Sequence, residues 1–152
     1  MRAVISITKY SAYTLKWIEY LQHIFLIALR LWLAKVFFMS GLTKIQSWDT
    51  TLMLFEYEYA VPYLPFELAA WLATAGELII PVFLVLGLLT RMNVVALFML
   101  NFVAAISYPD ISSAGEKDHL IWGLMAIVLF FYGAGSASVD FLLKTKLGIG
   151  KV

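Results

Sequence analysis

Residues 66–89 read FELAAWLATAGELIIPVFLVLGLL. After Glu67 this stretch carries one charge, Glu77. As a helix it is long enough to cross the roughly 30 Å of hydrocarbon in a bilayer. Similar apolar runs lie on either side, at about His23–Thr43, Met92–Tyr108 and Leu120–Ala137. The third is short and borrows Thr90 and Arg91. Helices are the physical choice, because a membrane barrel needs a closed ring of alternating strands. The predicted fold class is therefore all-α: an integral membrane four-helix bundle forming a single domain over residues 1–152.

Composition agrees. Of the 152 residues 62% are hydrophobic and 14% charged, and mean hydropathy is +0.87. A soluble domain this small could not bury so much apolar surface, and disorder is excluded on the same grounds. A net charge of +1 gives no electrostatic case for nucleic acid. There is no cysteine, which removes disulfides, thiolate metal sites and any thiol relay carried by this chain itself.

Turn chemistry marks the boundaries: Pro62 and Pro65 before the second span, GLLTR at Gly87–Arg91 after it, and Pro109, Asp110, Ser112, Ser113 and Gly115 after the third. Residues 1–22 do not read as a cleavable signal, since Lys9, Lys16 and Glu19 interrupt them. Tyr10, Tyr13, Trp17 and Tyr20 recur at helical steps, which predicts an amphipathic segment in the interface. Trp48–Tyr59 predicts a second one on the opposite side.

Basic residues set the orientation. Arg2, Lys9, Lys16, Arg91, Lys144, Lys146 and Lys151 fall on one side. The opposite loops hold Asp49, Glu56, Glu58, Glu67, Asp110, Glu116 and Asp118 against only Lys44 and Lys117. Basic loops stay cytoplasmic. The expectation is a multi-pass protein of the cell inner membrane with both termini inside. Trp48, Tyr57, Tyr59, Tyr63, Trp71, Tyr108 and Trp122 would make the outer aromatic belt.

Arg30, Lys35 and Glu77 lie inside the spans, where an unpaired charge costs about 2.5–3.5 kcal/mol. Counting rise per residue from the inner ends puts Arg30 roughly 12 Å deep, Lys35 roughly 20 Å, Glu77 roughly 18 Å and Asn101 roughly 12–14 Å. This predicts that Arg30, Glu77 and Asn101 meet. Arg30, Ala34, Phe37, Gly41 and Lys44 share one stripe, and Ala70, Ala73, Glu77, Pro81 and Leu84 a matching one. Lys35 lies about 140° away from Arg30, and three fates stay open for it: Glu77, snorkelling, or a partner protein. The Arg30–Glu77 pair reads either as a device that sets helix register or as a proton, quinone or substrate site.

Two histidines, His23 and His119, sit a membrane thickness apart, which excludes a bis-histidine haem within one chain. His23 follows Glu19 by one helical turn, and their pairing is the expected reading. His119 beside Asp118 is a candidate contact at the outer mouth. No metal set, P-loop, dinucleotide fingerprint, nucleophile elbow or zinc-protease motif occurs.

Three motifs in order carry a family resemblance. The first span holds Arg30, Phe37, Ser40-Gly41 and Lys44. The second holds Gly76-Glu77 and LVLGLLTR at Leu84–Arg91. The fourth ends in GAGSASVD at Gly133–Asp140, before a basic tail. The chain resembles the DoxX family of small four-helix membrane proteins from about His23 to Leu143. It departs at Ala134, where the family often has proline. The resemblance carries over Arg30, Lys44, Glu77, Arg91 and Asp140 as the polar signature. It implies a membrane subunit of a redox or oxidative-stress complex, similar to the small subunit of thiosulfate:quinone oxidoreductase. The absence of cysteine argues against a thiol role here unless a partner supplies the sulfur chemistry.

The expected site is thus Glu77 and Arg30 as the reacting pair, Lys35, Phe37, Lys44, Asn101 and Trp71 around a substrate or quinone pocket, and His119 with Asp118 as an outer contact. Quinone is the one cofactor considered. Membrane lipid, a protein on the outer face and further copies of the chain are the expected partners. Two other readings stand beside this: a non-catalytic anchor for an outer-face partner, and a small-solute or ion passage in an oligomer.

Overall fold

The computed structural model describes residues 2–148, with side chains at position 15 and at 17–148. Among these residues there are six helices and no strand: α1 Arg2–Gln46, α2 Trp48–Tyr57, α3 Phe66–Leu86, α4 Thr90–Ser107, α5 Ser113–Tyr132 and α6 Val139–Leu147. Three are long and apolar enough to cross a membrane: α1 from Trp17 to Gln46, α3 and α4. α5 has the length, but it opens on Glu116, Lys117 and Asp118, so its apolar part begins at Leu120.

Boundaries differ from expectation at both ends of the bundle: α5 starts at Ser113, inside the expected loop, and α6 has no counterpart in the sequence reading. No break separates the N-terminal segment from the first span, because 2–46 holds no proline and no helix-ending glycine; α1 is one rod. The aromatic face predicted there lies partly outside the described side chains, at Tyr10 and Tyr13, while Trp17 and Tyr20 are exposed. The fourth run stops at Tyr132, not Ala137, because Gly133 takes φ +76° and ends the helix.

α1 packs on α2, α3 and α5, and α4 on α3 and α5, so the four long helices close a ring. Leu26, Leu33, Phe37, Leu84, Val94, Leu97 and Leu129 fill its interior. Large apolar side chains also cover the outside, among them Trp32, Ile79, Val85, Met99, Phe102 and Ile121. A helix bundle apolar inside and out has lipid as its natural solvent. At Gly41, α1 and α3 approach so closely that a Cβ would lie 2.9 Å from Leu78 and 3.0 Å from Glu77.

The α3–α4 turn is built with help from α6. Gly87 closes α3 at φ +63°, with its N–H on Leu84 O and the Leu88 N–H on Phe83 O. No side chain of its own caps α4. Instead Asp140 accepts from Leu89 N at 2.7 Å and Thr90 N at 2.8 Å, placing a carboxylate at a helix N-terminus. Asp140→Ala should cost about 1–2 kcal/mol, read by unfolding in detergent, with Asp140→Asn milder. No change in either variant would mean that water caps this end equally well.

Candidate functional site

The helix register decides which charges meet. Gly41 of α1 sits against Glu77 and Leu78, and Arg30 lies beside Gly87 at the far end of α3. The expected Arg30–Glu77–Asn101 cluster does not form. Arg30, buried, donates from Nη1 to Ala134 O and from Nη2 to Ala137 O, both at 2.8 Å. It reaches carbonyls of the loop that follows α5, where a helix end leaves acceptors free. The depth count fails because Arg30 reaches Gly87 at the end of α3, well away from Glu77 in its middle.

Glu77 pairs instead with Lys44, the other cation on the same stripe. Lys44 Nζ donates to Oε2 at 2.7 Å, to Oε1 at 2.9 Å and to Ser40 Oγ at 3.0 Å. This is the one ion pair among the described residues, with side chains 18% and 9% exposed. Pro81, one turn beyond Glu77, lacks the N–H that would bond the Glu77 carbonyl and so loosens the helix there.

The pair lies in the wall of a partly open cavity of about 570 Å³ lined by α1–α5. Its lining is mostly apolar: Phe37, Phe55, Ala73, Gly76, Ile80, Leu100, Val103 and Trp122. Ser40, Lys44, Glu77, Tyr59, Tyr108 and His119 supply the polar groups. Phe37 meets Trp122 edge to face at 5.8 Å, and Phe55, Tyr59 and Tyr108 continue the aromatic wall. Tyr59, in the loop after α2, has its hydroxyl pKa raised by burial and then by Tyr108, Glu58 and Glu77.

Asn101 belongs to a second polar contact. Its Nδ2 donates to His119 O at 2.9 Å, and its Oδ1 lies 2.8 Å from His119 Nδ1. His119 is among the residues lining the cavity, while its neighbour Asp118 is exposed. Two expected pocket residues lie elsewhere. Trp71 is exposed and lies against Trp48, the ring centroids 4.3 Å apart and the planes tilted by 44°. Lys35 lines a separate apolar groove with Pro81 and Val82, and its ammonium stands 5.9 Å from the Trp32 ring. No hydrogen bond or ion pair among the described residues joins it to Glu77.

Ser40, Phe55, Tyr59, Tyr108 and Trp122 were not singled out for the pocket from sequence. Ser40 was visible only as part of a motif, and the two tyrosines and Trp122 as belt residues. Among the described residues, no three His, Asp or Glu side chains converge to hold a metal ion.

Comparison with known proteins adds the following. An uncharacterised protein of Haemophilus influenzae is 34% identical over 128 residues, which span 78% of this chain and 83% of that protein. No solved structure matches. The family model for DoxX matches residues 25–109, more than half of the chain. The matched stretch holds Arg30, Lys44, Glu77 and Asn101 but neither His119 nor Asp140, and on its extent the chain belongs to the DoxX family.

Proposed function

We propose that the chain is a ligand-binding membrane subunit of a redox or oxidative-stress complex, taking a quinone-type molecule into the α1–α5 cavity. The observation that supports this most is the cavity itself. Its volume of about 570 Å³ lies in the range of small-molecule sites, roughly 300–1,000 Å³, and its few polar groups in an apolar wall are the usual make-up of one. Lys44 donates to a carbonyl oxygen of the ring, and the aromatic wall stacks on its face. Glu77 is the group that exchanges a proton there. Arg30 is a structural clamp in this reading and not a reacting group.

In the same reading α1, α3, α4 and α5 are four spans of the inner membrane with both termini cytoplasmic. The basic residues at Arg91, Lys144 and Lys146 against the acidic loops at Asp49–Glu67 and Asp110–Asp118 support that orientation.

The test is titration of a short-chain ubiquinone into the purified protein in nanodiscs, followed by tryptophan quenching. Binding should weaken about 10- to 100-fold in the double variant Lys44→Met/Glu77→Met. Binding unaffected by that change, or none in the native protein, would reject the reading.

A second reading, an anchor for a partner on the outer face, draws on Tyr57 and Tyr63. Both are exposed, and they stand among Glu56, Glu58 and Glu67. Tyr63 is fully exposed and held at φ +63°. Recovery from native membranes of the chain alone, with no second protein, would exclude it.

A further inference from the structure

The Asn101–His119 contact contains more than a bond length. Asn101 has a donor end and an acceptor end, and which end faces His119 Nδ1 is settled by its other contact. Nδ2 donates to His119 O at 2.9 Å; the reversed amide would set two oxygens against each other. Oδ1 therefore faces Nδ1 at 2.8 Å. An amide oxygen only accepts, so Nδ1 carries a proton, and in the neutral imidazole Nε2 is then left with a bare lone pair. Nε2 makes no hydrogen bond among the described residues, and it is not among the polar atoms sealed from access. His119 is one of the residues that line the cavity, and its ring meets Trp122, another of them, edge to face at 5.0 Å.

We propose that Asn101 is a positioning residue that locks His119 in the Nδ1–H tautomer, so that Nε2 accepts a hydrogen bond from a hydroxyl group of the cavity ligand. This rests on the quinone-type reading of the cavity and narrows it: the preferred occupant is the hydroxylated, reduced form. A quinol donates an O–H to Nε2; a quinone offers only acceptors and sets its oxygen against a lone pair. A site built to accept a hydroxyl proton discriminates against an analogue that lacks it. One hydrogen bond gained and one repulsion avoided predict about a tenfold preference for the quinol.

Two histidines in the chain make the tautomer measurable. His23 is exposed, far from the cavity, and His23→Gln leaves His119 as the single ring to observe. Nitrogen-15 histidine NMR of that variant in nanodiscs should show Nδ1 protonated and Nε2 bare. Short-chain ubiquinol, added anaerobically, should shift Nε2 toward the hydrogen-bonded position, and ubiquinone should not. Asn101→Leu should give mixed tautomers and lose the tenfold preference, with unfolding in detergent confirming that the bundle remains assembled.

A protonated Nε2 in the variant that keeps Asn101 would overturn the proposal without reference to any ligand. Equal affinity for both probes, with Nε2 unmoved, would overturn it and leave the cavity reading standing. Failure of both probes to bind would bring down the cavity reading and this one with it.

Discussion

Lys44→Met should destabilise the protein by about 3–5 kcal/mol. The change leaves the Glu77 carboxylate in a mostly apolar wall, without the ammonium that reaches both its oxygens at 2.7 and 2.9 Å. Breaking a buried pair by removing one member costs that much because an uncompensated charge remains. Glu77→Gln should cost less, since the amide oxygen still accepts from Lys44, which also keeps Ser40 Oγ at 3.0 Å. Lys44→Met/Glu77→Met should recover most of the loss, because an apolar pair of similar volume needs no desolvation. Unfolding curves in detergent for the native protein, Lys44→Met, Glu77→Met and the double variant form a cycle. If the double variant is as unstable as the sum of the single ones, the two residues are not coupled and the pairing is wrong.

Arg30→Ala should cost about 3–5 kcal/mol for a different reason. Two charge-assisted bonds to Ala134 O and Ala137 O disappear, and these tie the loop after α5 to α1. That loop leads into Ser138 and Asp140, the residues that cap α6 and α4. Losing the clamp should therefore free α6 and speed tryptic cleavage at Lys144 and Lys146. Arg30→Lys should restore less than half, since an ammonium is a point donor and does not span two carbonyls as a guanidinium fork does. Gly87→Ala should act at the same place. Its φ is +63°, and a Cβ would come within 2.5 Å of Ser138 Cβ and 2.7 Å of Arg30 Nη1. Native-like cleavage rates in Arg30→Ala would show that α6 docks without the clamp.

Glu77 shows how far reading along the chain reaches. Its place in an apolar run made it a residue in need of a cation, and that need is met. Arg30 and Lys44 were both on the stripe that faces α3, since they are fourteen residues apart, close to four full turns. Helical phase cannot separate two residues a whole number of turns apart; only the offset of α1 against α3 does. Asn101 and His119 are eighteen residues apart, across a loop whose course no periodicity encodes. Asp140 caps a helix fifty residues earlier in the chain, which no local capping rule would suggest.

The sequence by itself determined that this protein is helical and apolar on every side, where α3 and α4 begin and end to within a few residues, and which stripe of α1 and of α3 turns inward. Those properties follow from hydrogen bonding and burial within about one turn of the chain. The tertiary structure alone decided that Lys44 rather than Arg30 answers Glu77, that a cavity opens beside them, and that Asn101 meets His119 at its wall. Those depend on how far one rod slides along another, and the contacts that stop the sliding, Gly41 on Leu78 and Arg30 on the loop after α5, join residues distant in sequence.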